Sequence, residues 1–147
     1  MHRTIISLGI AAVVFLGCTS RTSISEGVSE AIRKGETVDL AKLAHFEWDS
    51  AYVFSPYSAR EQVCSELPPS WSDCRSTLPK YIGEGDFLTV FVKDGLVVHQ
   101  ELHSRRNGDY CAAGCALKFP VSKARFQAIP SGQLANGDAH YVLVQLP

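Results

Sequence analysis

Three residues that could bind a metal alternate along one predicted strand: His99, Glu101 and His103. Alternate side chains of a strand share a face about 6.6 Å apart, and imidazole and carboxylate groups are common zinc ligands. The outer two lie about 13 Å apart and cannot share one ion. Two of the three could do so with help from His140 or Asp109, and an open position on the ion would activate water. The competing interpretation is the solvated face of an edge strand. We favour it, so no metal or other cofactor is predicted.

Five cysteines occur in the chain, and four of them lie in its C-terminal part: Cys64, Cys74, Cys111 and Cys115. In an oxidising compartment an even number indicates two disulfide bonds, for which three pairings are possible. The option that is local in sequence joins the first two and the last two. Neither pair has the two-residue spacing of a thioredoxin-like redox pair, so structural disulfides are predicted, with a thiolate zinc site as the alternative.

A charged loop follows the histidines and contains Arg105, Arg106 and Asp109. Binding residues are often found on such loops, and this one could contact an anion or a partner. Glu47 and Asp49 share a face of another predicted strand and could begin an acid pair, but we favour polar residues at the start of that strand. The sequence has no nucleophile elbow, glycine-rich phosphate loop or helical histidine pair, so no catalytic residue is predicted.

A predicted hairpin over 87–103 positions the histidines. Asp94-Gly95 has the sequence of a two-residue turn that requires positive φ, with β-branched and aromatic residues on both sides. With that turn, Phe91 is expected opposite Val98 and Phe87 opposite Leu102. The first strand is then covered on both faces and central, whereas the second is near an edge. The core face is expected to carry Phe87, Thr89, Phe91, Leu96, Val98 and Leu102.

Short helices and further strands surround this hairpin. Ser23 with Glu26, and Ser58 with Glu61, have capping-box spacing before two helices. The aromatic segment 46–54 is predicted as a strand, and so are 125–129 and 140–146. The order of elements indicates an α+β fold with an antiparallel or mixed sheet of about four to five strands and two short helices packed on one face.

The first 17 residues have the composition of an export signal. Arg3 precedes an apolar run over 5–16, which is too short to cross a membrane. The residues Phe15-Leu16-Gly17-Cys18 resemble the lipobox of bacterial prolipoproteins, with Phe15 where that family usually has Leu. The resemblance implies cleavage before Cys18 and its lipidation with palmitate.

The same resemblance implies a location and a domain organisation. A lipidated Cys18 would attach the protein to the cell envelope, facing the periplasm, and Thr19 in place of the Asp that favours inner-membrane retention implies the outer membrane. The predicted organisation is a signal peptide over 1–17, a tether over 18–25 and one α+β domain over 26–147. Without Arg3 the mature chain has 13 basic and 15 acidic residues. This balance gives no basic footprint for nucleic acid, and none is predicted as a partner.

A second resemblance covers roughly 43–110. The string Phe46-Glu47-Trp48-Asp49, followed by Tyr52, Phe54, Pro56-Tyr57 and Ser58, resembles a motif of small uncharacterised bacterial lipoproteins and exported proteins. The hairpin at 91–95 and Gly108-Asp109-Tyr110 are similar to the same group. The resemblance implies a shared fold and no catalytic role.

These patterns together predict a non-enzymatic, lipid-anchored module that binds an envelope protein or another envelope component. The contact residues are expected to be Arg105, Arg106, Asp109 and the outward side of 99–103. Two alternatives stay open. One is a metal-assisted periplasmic hydrolase using His99 and His103, and the other is a thiol-disulfide redox protein.

Overall fold

Two antiparallel sheets form the framework of the protein in the computed structural model, which describes residues 23–111 and 116–147. The chain passes through seven strands within these ranges: β1 (Val38–Asp39), β2 (Ser50–Phe54), β3 (Asp86–Lys93), β4 (Leu96–Ser104), β5 (Ala116–Pro120), β6 (Arg125–Gln133) and β7 (Ala139–Gln145). The larger sheet has the order β4-β3-β2-β5 and the smaller sheet has the order β1-β6-β7. The predicted signal peptide, the residues Phe15-Leu16-Gly17-Cys18 and Cys115 lie outside the described residues.

The helices of the described ranges are short: α1 (Ile24–Arg33), α2 (Leu40–Leu43), α3 (Arg60–Glu66) and α4 (Cys74–Thr77), with 3₁₀ helices at Arg105–Asn107 and Val121–Lys123. None of the described helices is long and apolar enough to span a bilayer.

Helix α1 begins at the predicted capping box. The Ser23 hydroxyl accepts a hydrogen bond from the Glu26 N–H, and the Glu26 carboxylate accepts one from the Ser23 N–H. At the other end, the N–H groups of Gly35 (φ +70°) and Glu36 donate to carbonyls of the last turn. The helix begins before the predicted domain boundary at 26, and Ser25 is already buried within it.

The central strands β2 and β3 are buried on both faces, as predicted for the first hairpin strand. One face of the larger sheet packs against α1 and the smaller sheet in a core that includes Val28, Val53, Phe87, Phe91, Phe126 and Leu143. The opposite face packs against the segment containing α3 and α4 in a second core that includes Phe54, Val63, Leu67, Ile82, Leu88 and Val90.

The predicted α+β class is confirmed, and both sheets are antiparallel. The finer arrangement differs from the expectation, because a second sheet is present and the helices lie on opposite faces of the larger one. The physical reason is the double-sided apolar character of β2 and β3, since each face must be covered.

The Asp94-Gly95 turn is confirmed, with φ of +49° and +76°. The predicted register of the hairpin is wrong by one residue, because Phe91 pairs with His99 and Phe87 pairs with His103. A β-bulge between Phe91 and Val92 causes the shift. A shift of one residue turns every side chain of a strand to the other face. Leu102, beyond the bulge, is therefore exposed, and so is Val98 at the bulge. Leu96 keeps the predicted register, opposite Lys93, but is exposed at the end of the hairpin.

The segment after β4 connects the two sheets. Strands β6 and β7 confirm the predicted strands over 125–129 and 140–146. Asp109 lies beside β7, where its N–H donates to the Tyr141 carbonyl at 2.9 Å and its carbonyl accepts from the Leu143 N–H at 2.7 Å. The charged loop is thus held against the smaller sheet by backbone hydrogen bonds.

Candidate functional site

An open cleft of about 1040 Å³ lies where the end of β4 faces the loop between β6 and β7. Three separate segments line it: the start of β3, the 3₁₀ helix after β4 and the β6–β7 hairpin. Its charged and polar lining residues are Glu84, Asp86, Ser104, Arg105, Arg106, Gln133, Asn136 and His140. We refer to this feature as the polar cleft.

Arg105 is held in place by a buried carboxylate. Its Nε lies 3.1 Å from both carboxylate oxygens of Asp109, and its Nη2 lies 2.7 Å from Oδ2. The Asp109 side chain is 4% exposed and that of Arg105 is 39% exposed. These hydrogen bonds raise the pKa of Arg105. A bidentate contact of this kind fixes the plane of the guanidinium as well as its position.

His140 of β7 completes the group around Asp109. Its Nε2 lies 3.3 Å from Asp109 Oδ2, and its side chain is 17% exposed. One buried carboxylate therefore contacts basic groups from two elements that are distant in sequence. The three predicted contact residues divide accordingly: Arg105 and Arg106 line the polar cleft, whereas Asp109 lies behind it and positions Arg105.

Tyr57 lies near Glu84, an acidic residue that lines the polar cleft. It has φ of +67°, which is uncommon for a bulky side chain, and its N–H donates to the Ile82 carbonyl at 2.9 Å. Partial desolvation and the neighbouring Glu84 carboxylate raise the pKa of the Tyr57 phenol. The sequence indicated Tyr57 only as part of a motif and His140 only as a possible helper ligand for a metal, and it gave no signal for Glu84, a single residue in a separate segment.

His103 is a core residue and not part of a solvated face. Its side chain is 1% exposed, its Nε2 lies 2.7 Å from the Gly108 carbonyl, and its ring packs against Tyr110 at 4.7 Å between centroids. Burial lowers the pKa of His103. The bond to Gly108 connects β4 to the loop that carries Arg105 and Asp109.

Glu101 and His99 also point inward. The Glu101 carboxylate accepts hydrogen bonds from the N–H groups of Ile24 and Ser25, at 3.3 and 2.7 Å, and lies 3.1 Å from His99 Nε2. A carboxylate at the first turn of a helix satisfies free N–H groups and interacts favourably with the helix dipole. The interpretation of 99–103 as a solvated edge face is therefore wrong. No group of three possible metal ligands occurs among the residues that the structure describes.

Cys64 and Cys74 form a disulfide bond, which is the pairing that is local in sequence. It joins α3 to α4, and Cys74 is buried beneath the larger sheet. Cys111 is also disulfide-bonded, and Cys115 lies outside the described residues. A buried, oxidised sulfur has the environment of a structural cysteine and not of a reactive thiol.

The acidic residues before β2 have a structural role. The Asp49 carboxylate accepts hydrogen bonds from the Asp94 N–H at 2.7 Å and from the Ser50 hydroxyl at 2.9 Å. Both hydrogen bonds lower the pKa of Asp49, and the one from the Asp94 N–H has the larger effect. Glu47 is exposed. This arrangement agrees with polar residues at the start of a strand and gives no support to an acid pair.

No model of a known protein family matches the chain, and no curated protein or solved structure is found to match it. The chemistry of the polar cleft is thus the basis for inferring a function. The cleft offers two guanidinium groups and two carboxylates at an open surface. Such a set can bind a ligand that carries complementary charges.

Proposed function

We propose that the protein is a lipid-anchored module of the cell envelope, facing the periplasm, that binds an envelope component through the polar cleft. In this proposal Cys18 carries the palmitate anchor and the outer membrane is the location. The observation that carries the binding role is the Arg105–Asp109 pair, in which a buried carboxylate fixes an arginine at the wall of an open cleft. Fixed charged groups bind with a smaller loss of conformational freedom than mobile ones.

The positions of the titratable groups favour binding over catalysis. His103 is bonded to a backbone carbonyl inside the core, and His99 is paired with a carboxylate that caps α1. Neither histidine lines the polar cleft as the structure describes it. The cleft residues Arg105 and His140 are both paired with Asp109. These contacts hold the cleft residues in fixed positions, as the binding of a charged ligand requires.

The anchor is tested by labelling cells with palmitate. Wild-type protein is expected to incorporate the label and the Cys18→Ser variant is expected to lose it. The double variant Cys64→Ser/Cys74→Ser is the matched control, because it loses two other cysteines and keeps Cys18. Equal labelling of the wild type and Cys18→Ser would contradict the anchor, and fractionation of the labelled cells tests the outer-membrane location.

The polar cleft is tested by reversing one charge. Arg106→Glu is expected to lose the cross-linked envelope adducts that the wild type forms in intact cells. Arg125→Glu is the matched control, because Arg125 is an exposed arginine of β6 that does not line the cleft. Identical adducts from both variants would mean that the contact surface lies elsewhere.

A further inference from the structure

The chain enters the folded domain beside one wall of the polar cleft. The Ser25 hydroxyl, in the first turn of α1, accepts hydrogen bonds from the Ser104 N–H at 3.2 Å and from Asn107 Nδ2 at 3.0 Å. Ser104 lines the polar cleft, and Arg105 and Arg106 lie between these two donors in sequence. Any tether that leaves the domain at its N-terminal end therefore begins next to the two arginines.

The tether implied by the proposed anchor is short. Cys18 precedes the helix cap Ser23 by five residues, and five extended residues span at most about 18 Å. Strand β4 runs from Leu96 to Ser104, and its eight residue steps span about 27 Å. The domain thus has a near end, at Ser104, and a far end, at Leu96. A tether shorter than β4 brings the near end, with the polar cleft, to the bilayer.

The charges of the polar cleft are mixed. Arg105 and Arg106 follow β4, and Glu84 and Asp86 lie at the start of the paired strand β3, where Asp86 is opposite Ser104. A hydrogen bond of 2.9 Å from the Arg105 N–H to the Gly85 carbonyl holds these two segments side by side. Guanidinium groups bind phosphate with two parallel hydrogen bonds, and carboxylates bind ammonium groups. A guanidinium carries five N–H groups, so the pair with Asp109 leaves donors of Arg105 for a ligand.

This pattern fits a zwitterion better than an anion. Glu84 and Asp86 would repel a headgroup that carries negative charge alone, and the mature chain as a whole has more acidic than basic residues, 15 against 13. A headgroup with a phosphate and a primary ammonium offers one charge to the arginines and the other to the neighbouring carboxylates. Like charges brought together at an interface reduce affinity for the wrong ligand, which gives the polar cleft a basis for choosing among lipids.

We propose that the polar cleft binds the phosphoethanolamine headgroup of a phospholipid in the bilayer that holds the anchor, with its phosphate at Arg105 and Arg106 and its ammonium at Glu84 and Asp86. The proposal rests on the proposed lipid anchor at Cys18. It adds to that anchor a second contact with the membrane, through which the orientation of the domain is fixed.

The experiment uses the full-length acylated protein in vesicles made of equal parts of phosphatidylethanolamine and phosphatidylglycerol, with one lipid or the other radiolabelled. A photoreactive residue replaces Ala135, which is exposed and lines the polar cleft without carrying charge. A second probe at Asn136 repeats the measurement, so that a defect at one position does not decide the result. The matched control carries the probe at Leu96, which is exposed at the far end of β4.

The probe at Ala135 is expected to label phosphatidylethanolamine well above phosphatidylglycerol, and the probe at Leu96 to label neither above background. Adding Arg106→Gln is expected to reduce the adduct about tenfold, the effect of losing one charge-assisted hydrogen bond. Adding Glu84→Gln is expected to remove the preference for phosphatidylethanolamine.

Three results would overturn the proposal while leaving the anchor intact: no lipid adduct at Ala135, equal adducts at Ala135 and Leu96, or preference for phosphatidylglycerol. Mass spectrometry of Cys18 separates these results from failure of the proposed function. A protein that is not acylated at Cys18 overturns both proposals, whereas an acylated protein with one of the three results overturns only this one.

Discussion

Burial of His103 predicts that the protein loses stability in mildly acidic solution. The imidazole is 1% exposed, packs against Phe87 and Tyr110, and makes one hydrogen bond to the Gly108 carbonyl. Desolvation lowers its pKa from the ordinary value of 6.5. The Gly108 bond and the acids that face the ring (Glu101, Asp109 and Asp86) act in the opposite direction and are outweighed.

The sign of the effect follows from the direction of the shift. The folded-state pKa of His103 is below the unfolded value, so the unfolded chain binds the proton first and acid favours unfolding. The stability that neutral His103 contributes is present above about pH 6.5 and is lost as the pH falls below it. Between pH 7.5 and 5.5, one such histidine reduces the free energy of unfolding by up to about 1.4 kcal/mol.

The assay is urea unfolding of the wild type, His103→Gln and His45→Gln at both pH values. His103→Gln is expected to be less stable at pH 7.5, because the amide packs less well against the two rings, but to lose about 1.4 kcal/mol less than the wild type on acidification. His45 is exposed, so His45→Gln is expected to follow the wild type. An equal loss in His103→Gln and the wild type would refute the reasoning.

Three further changes test the contacts around the site. Asp109→Asn is expected to lower the free energy of unfolding by about 2 kcal/mol, measured by urea unfolding, because it leaves two basic groups without their carboxylate. Gly108→Ala is expected to cost about 3 kcal/mol, because φ is +109° and a Cβ would lie 2.9 Å from Ile32 Cδ1. Replacing both Cys64 and Cys74 by Ser is expected to cost about 2.7 kcal/mol, the chain-entropy value for a loop closed over 10 residues, measured by thermal unfolding.

Matched variants separate these effects from general damage. Arg106→Gln removes a neighbouring exposed charge and is expected to lower the free energy of unfolding by less than about 0.5 kcal/mol. A loss as large as that of Asp109→Asn would mean that the buried Arg105–Asp109 pair has no special role. Gly137 has φ of +89°, and no atom lies within 4 Å of the Cβ that Gly137→Ala would add. This variant is expected to lower the free energy of unfolding by about 1 kcal/mol. A similar loss at Gly108 would show that the contact with Ile32 is unimportant. Wild type treated with reductant is expected to be at least as destabilised as the double cysteine variant, because reductant also breaks the disulfide of Cys111.

Local signals predicted local structure well. The Ser23–Glu26 capping box and the Asp94-Gly95 turn depend on residues close in sequence, and the structure has both. The predicted Ser58–Glu61 capping box is wrong, because the cap of α3 is Ala59 and no side chain caps that helix. The continuous apolar character of β3 correctly indicated a strand covered on both faces. These features need no knowledge of distant partners, and for this reason periodicity and turn chemistry were sufficient.

The register of β4 could not be predicted in this way. Apolar and polar residues alternate along β4, and the apolar residues were expected to face the core. In the structure the polar residues face the core, because Glu101 accepts hydrogen bonds from N–H groups of α1, 76 and 77 residues away, and His103 is bonded to the Gly108 carbonyl. A buried polar group is tolerated only where it has a partner, and partners this distant are not visible in a strand pattern.

The candidate site was predicted in part for the same reason. The loop signal found Arg105, Arg106 and Asp109, because charged loops are often contact surfaces. It could not show that Asp109 is buried, since burial depends on His140 of β7 and on backbone bonds to that strand. The acidic residues of the polar cleft, Glu84 and Asp86, come from the start of β3, which the pairing of β3 with β4 brings beside the arginines.

The inward polar residues of β4 connect the N-terminal helix to the polar cleft. Glu101 holds the first turn of α1, and His103 holds the loop that carries the cleft arginines. A register shifted by one residue would turn both side chains to solvent and remove the hydrogen bonds that Glu101 makes to α1 and His103 makes to the loop. The bulge at Phe91 therefore does more than bend the hairpin. It joins α1 and the loop that carries Arg105 and Arg106 to one strand, so that under our proposals the tether and the headgroup site would keep a fixed position relative to each other.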